Sequence, residues 1–157
     1  MENQRLVDEL QAARAALLDE LAAVTPESMT TPGLVGEWSA RELIAHLGYW
    51  AGHAVEIIHA AEEGRLEELG IDDPAVDEVN ETVARVARET DLATVRKREA
   101  ASVEVLVDRL RALDPLLLNQ RVPDGDTLAD GITEDGAAHY REHADELRSI
   151  LRERPRG

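Results

Sequence analysis

The chain has 157 residues, with 33 carboxylate side chains against 17 cationic ones and no cysteine. That length suits one domain whose core needs no covalent staple, and the missing cysteine excludes disulfides, thiolate metal sites and a cysteine nucleophile. A net charge of −16 argues against nucleic acid or an anionic membrane as partner, since both attract a cationic surface.

Residues 1–6 lack the basic and apolar segments of a signal peptide, and no apolar run reaches membrane-spanning length, so a cytoplasmic protein is expected. Sixteen arginines beside the single Lys97, with abundant alanine, suggest a GC-rich bacterial source. Leu6, Leu10, Ala13, Leu17, Leu21 and Val24 recur at spacings of three and four and predict a first amphipathic helix, ended by Thr25-Pro26. Pro32, Gly33 and Gly36 mark a loop from Thr30 to Glu37.

The clearest start signal follows. Ser39 and Glu42 have capping-box spacing, and Trp38 and Leu43 have the spacing of a hydrophobic staple. A second helix is predicted from Ala40 to about Glu63, closed by Gly64, with Leu43, Ile44, Leu47, Trp50, Ala51, Ala54, Ile58 and Ala61 buried. His46 and His53 lie along one edge of that face, and His59 falls on the polar side.

Asp73 and Pro74 suit the cap and first position of a third helix reaching about Glu89, with Val76, Val79, Val83 and Val86 as its stripe and Asn80 on the same face. Thr90 or Asp91 recaps the chain, and a further helix to about Leu113 buries Val95, Val103, Leu106 and Leu110. The pattern allows one bent helix or two. Residues 119–132 read as a long loop. Its aspartates do not make a calcium loop, because Leu128 and Ala129 stand where an oxygen ligand and a glycine are required. Thr133 is expected to cap a last helix running from Glu134 to Arg152. With no strand alternation and no repeat, the pattern implies an all-α, up-and-down four-helix bundle.

The last helix carries the chemistry. His139 and His143 stand one turn apart, within reach of a single divalent ion. Stepping about 100° per residue from Leu147 puts Tyr140, His143 and Ala144 on the buried face and His139 at its edge. The alternative is a pair of half-buried histidines bonded to their neighbours. A third ligand has to come from elsewhere, and His46 is the best placed; His53 lies two turns beyond it, about 10.5 Å along the axis, too far to share its ion. His53 is expected to line a pocket or the core. Three imidazoles leave a coordination position open, as catalytic sites do. His139-Tyr-Arg-Glu142-His143 also spells H-x-x-E-H, the inverted zinc-protease signature. Against it, Glu142 should point about 140° away from the buried face, and residues 144–157 offer no suitably spaced downstream glutamate.

Residues 38–47, Trp38-Ser39-Ala40-Arg41-Glu42-Leu43-Ile44-Ala45-His46-Leu47, together with His139-x-x-x-His143, resemble the DinB/YfiT-like four-helix-bundle superfamily. That superfamily includes mycothiol-dependent maleylpyruvate isomerase amino-terminal domains, bacillithiol transferases and the ClbS/DfsB group. The resemblance implies nickel or zinc bound by His46, His139 and His143, and a homodimer. Its reactions are varied, and the Val76–Asn80 stretch and the Asp91 break look more like the ClbS/DfsB group. Three functions follow as expectations. One is S-transfer or isomerisation with a low-molecular-weight thiol such as mycothiol as cosubstrate, with Trp50, His53 and Asn80 lining the pocket. The second is hydrolysis by metal-bound hydroxide, helped by Asp135, Glu146 or Asn80. The third is a non-catalytic bundle that binds or sequesters a small molecule.

Overall fold

The computed structural model describes residues 1–154, and among these the fold is all α. Six helices follow in order: α1 (Glu2–Ala22), α2 (Ala40–Glu62), α3 (Val76–Arg88), α4 (Leu92–Ala112), α5 (Leu128–Asp135) and α6 (Ala137–Glu153), with short 3-10 turns at Leu66–Glu68 and Pro115–Asn119. The four long helices α1, α2, α4 and α6 make the bundle. None is long and apolar enough to cross a membrane.

The stripes predicted for α1, α2 and α4 meet as one core, in which Leu10, Leu17, Leu43, Leu47, Ile58, Leu106, Leu110 and Leu147 are almost wholly buried. Helix α2 starts where its signal places it, and Glu42 accepts the Ser39 backbone N–H at 2.5 Å. It packs on α4 at close range because Gly48 stands over Glu99: a Cβ there would lie 2.9 Å from the Glu99 Cα. Helices α1 and α6 pack along each other, and α1 also packs on α4. The fourth side is different. The backbones of α2 and α6 run together little, and α5 bridges them by packing on both.

Helices α3 and α4 are separate, and the Asp91 carboxylate accepts the Thr94 N–H at 3.0 Å as the cap of α4. Three expectations need correction. Helix α3 begins after Ala75 without a side-chain cap, and its buried residues are Ala84 and Ala87, whereas Val76 and Val86 are 58% and 48% exposed. The valines keep helical spacing, but only α2 backs this helix closely, so the small alanines take the contact. The loop predicted to Ile132 ends early, because Thr127 and Asp130 form a capping box that starts α5 at Leu128. Thr133 caps nothing; its hydroxyl donates to the Ala129 carbonyl within α5. The last helix starts at Ala137, after Gly136 leaves the helical region at φ −112° and ψ −104°. A side chain at Gly136 would press on the Ile132 carbonyl at 2.9 Å, so glycine is what allows the chain to turn here with no linker.

Candidate metal centre

The three predicted ligands converge across the open side of the bundle. His46 comes from α2, and His139 and His143 come from consecutive turns of α6. One ring nitrogen of each lies within 4.8 Å of the other two, and His46 Nε2 stands 2.8 Å from His139 Nε2. The rings meet edge to face, with centroids 4.6, 5.4 and 4.8 Å apart. Tetrahedral ligands at about 2.0–2.1 Å from an ion stand about 3.4 Å from each other, a spacing these nitrogens reach by small ring rotations.

Two features fit the donor set to a divalent ion. His143 Nδ1 donates to Glu146 at 3.0 Å, which fixes its hydrogen there and turns Nε2 inward. His46 is 7% exposed and its Nδ1 has no partner, so all the polar bonding of that ring runs through Nε2. Burial first, then the neighbouring imidazoles, lowers the pKa of His46 to about 3 and that of His139 to about 4. Both rings are therefore neutral at pH 7, the protonation state a metal requires.

The centre opens on a cavity of about 390 Å³ lined by Trp50, Val76, Asn80, Glu134 and Asp135. Trp50 and Asn80 are thus pocket residues, and the indole N–H donates to Asn80 Oδ1 at 2.9 Å. Glu142, expected to face away, is exposed but borders this cavity. His53 lines instead a wider, adjoining cavity of about 680 Å³ that shares Trp50, Val76, Glu134 and Asp135 as walls. Its ring lies 5.0 Å from that of Trp50, and its Nδ1 is 2.6 Å from Asp135 Oδ2. That carboxylate raises the pKa of His53. His59 is on the surface beside Glu63 at 2.5 Å, as its polar position predicts.

The wider cavity has a one-sided charge that the sequence did not reveal. Glu56, Glu68, Asp73, Asp124, Glu134 and Asp135 line it, and no lysine or arginine does. Partial burial and the surrounding aspartates push the Glu134 carboxyl pKa up. A second buried cluster was also missed. Glu99 accepts from Arg14 Nε at 2.8 Å, from Arg14 Nη2 at 2.7 Å and from the Tyr140 hydroxyl at 2.7 Å. Its sequence signal was a carboxylate midway between Val95 and Val103 on a buried stripe.

Comparison with known proteins bears on the fold and the family. No functionally curated protein matches the chain. The crystal structure of the colibactin self-resistance protein ClbS in complex with double-stranded DNA is similar over 98% of this chain and 97% of that one, with a TM-score of 0.77 and 15% identity. An uncharacterised protein from Escherichia coli UTI89 is similar over 96% of this chain and 92% of that one, with a TM-score of 0.79 and 15% identity. The first of these overturns the exclusion of nucleic acid drawn from net charge. A protein of this fold binds DNA, and net charge is a sum over the whole surface, whereas phosphate contacts need only a local concentration of cations. The family profile described as the mycothiol maleylpyruvate isomerase N-terminal domain matches residues 10–144, and the chain belongs to that family, within the DinB/YfiT-like superfamily.

Proposed function

We propose that this protein is a metal-dependent enzyme that uses an uncharged low-molecular-weight thiol, mycothiol first, as cosubstrate for S-transfer or isomerisation of a small molecule. The observation that carries the reading is the convergence of three imidazoles, His46, His139 and His143, at one end of a cavity. A divalent ion, nickel or zinc, held there would lower the pKa of a bound thiol. Trp50 and Asn80, fixed by their mutual hydrogen bond, supply an apolar wall and an amide beside the imidazoles. The chain has no cysteine, so the sulfur is the cosubstrate's. The carboxylate-lined cavity favours a thiol without negative groups and repels glutathione and bacillithiol, which carry carboxylates. A cytoplasmic location belongs to the same reading, because thiol pools are kept reduced there. Hydrolysis is the weaker alternative, since Glu146 is engaged by His143 and Asp135 by His53.

The test is turnover of a generic electrophile, 1-chloro-2,4-dinitrobenzene, by protein stripped with chelator and reloaded with nickel or zinc. Turnover that requires mycothiol, is slower with glutathione and disappears in His143→Ala is expected. Turnover independent of thiol would replace this reading by hydrolysis, and none with any thiol would favour the sequestering bundle.

A second reading is contact with nucleic acid at the corner between α3 and α4. One observation favours it: residues 85–98 hold five cations (Arg85, Arg88, Arg96, Lys97 and Arg98) against Glu89 and Asp91, in a chain of opposite net charge. All five cations are exposed. Binding of duplex DNA that weakens steeply with salt and is lost when Arg96, Lys97 and Arg98 become glutamine would support it; binding unchanged by those substitutions would remove it.

A further inference from the structure

His53 and Asp135 come from different helices, 82 positions apart; His53 lines the wider cavity, and Asp135 belongs to the wall that this cavity shares with the one holding the three imidazoles. The Asp135 side chain is 16% exposed and the His53 side chain 31%. The partly exposed ring lines the cavity, and Nε2 is the ring nitrogen left free of the carboxylate. With Nδ1–H donated to Asp135, the neutral ring presents Nε2 as an acceptor. Trp50 meets the ring edge to face, with centroids 5.0 Å apart. The charged groups that face it are all acidic: Glu56 on its own helix, Asp73 ahead of α3, and Asp135 on α5. They favour an imidazolium once it forms.

We propose that His53 and Asp135 are the proton-accepting dyad of this site, with His53 Nε2 taking the proton of a thiol that enters the cavity. The proposal rests on the thiol reading above. In the step, the S–H bond breaks, its electron pair stays on sulfur, and the proton forms a new N–H bond at Nε2. The imidazolium keeps its Nδ1–H on Asp135, so the charge created on the ring is met by a carboxylate already in place. A dyad that merely tied α2 to α5 would share the hydrogen bond but would not change what happens to the thiol proton.

The experiment counts that proton. Zinc-reloaded wild type, His53→Gln and Asp135→Asn are titrated at pH 8 with N-acetylcysteine methyl ester, an uncharged thiol, by calorimetry in buffers of different ionisation enthalpy. At that pH a free thiol is mostly protonated. Wild type is expected to retain most of the proton, and His53→Gln to release most of one equivalent more to the buffer, with Asp135→Asn between them. Equal release by wild type and His53→Gln overturns the proposal. Absence of thiol binding to wild type would instead defeat the thiol reading. The dyad is then judged by nitrogen-15 NMR of the His53 ring. A neutral ring with its hydrogen on Nδ1, and a titration midpoint that falls in Asp135→Asn, supports a proton acceptor. A hydrogen on Nε2 overturns it.

Discussion

The bundle holds two inward-facing polar clusters, and α6 contributes to both through residues one apart, Tyr140 and His139. On the closed side, Glu99 receives two N–H groups of Arg14 and the Tyr140 hydroxyl, so both carboxylate oxygens are bonded. On the open side, three imidazoles face one another, only His143 reaches a carboxylate, that of the exposed Glu146, and one ring nitrogen of His46 is buried without a partner. A structural cluster closes on itself because each unmet polar atom costs about 1–3 kcal/mol. The histidine cluster does not close, which separates a site from a strut in this fold.

Removing a ligand breaks the comparison hardest. His143→Ala in metal-reloaded protein is expected to lower zinc or nickel affinity by at least about 100-fold, since it deletes a ligand and not merely its support. Chelator competition measures it. His59→Ala, on the surface, should leave affinity unchanged. Equal affinity in wild type and His143→Ala would mean that the centre is misassigned.

The closed cluster answers to stability instead. Glu99→Ala leaves the Arg14 guanidinium and the Tyr140 hydroxyl without their shared acceptor. Breaking a buried pair costs about 3–5 kcal/mol, and the part-exposed Arg14 places this one at the lower end, about 3 kcal/mol in urea unfolding. Metal affinity should change little if α6 keeps its position. A variant as stable as wild type would show that Glu99 is not buried at a cost.

Acid distinguishes the histidines of the open side by sign. His46 and His139 have folded pKa values of about 3 and 4, below the ordinary 6.5, so the unfolded chain binds more protons below pH 6.5. Stability of the metal-free protein should therefore fall as pH drops from 7 to 5, by about 2 kcal/mol after discounting the partly exposed His139 for solvent screening. His53 opposes this. Its pKa is raised, so its contribution is fully present below 6.5 and is lost as pH rises through the folded value. His46→Gln should flatten the acid limb, and an unaltered limb would assign the loss to other groups.

The sequence carried the α2 start and the three histidines that converge because both are local signals: a capping box, a helical edge, and an i, i+4 pair. Three features were illegible for one reason: each depends on what stands opposite. The valine stripe of α3 has helical spacing, yet Val76 and Val86 are exposed because they border open cavities and not a closely packed helix. Gly136 read as one residue of a longer helix, and its break became visible only with the Ile132 carbonyl pressed against it. His53 and Asp135 were both picked out in the sequence, but separately, as pocket lining and as a helper; their pairing depends on how α5 is set against α2.

The smallest expected effect sharpens the comparison most finely. Tyr140 and His143 sit one turn apart on α6, and each is oriented by a glutamate, Glu99 and Glu146. Glu99 is buried, but the Glu146 side chain is 43% exposed, so water can replace it. Glu146→Gln keeps an acceptor oxygen for His143 Nδ1–H and removes only the charge. Outer partners of ligating histidines are worth about 10–100-fold in metal affinity, and the exposed, conservative change belongs at or below the lower figure, about tenfold. Glu146→Ala, which leaves the orientation of the ring to water, should lose more than Glu146→Gln. Chelator competition on both variants, with unfolding to confirm unchanged stability, tests this ranking. Equal wild-type affinity in both would mean that α6 alone fixes the His143 ring and that Glu146 is a solvated neighbour.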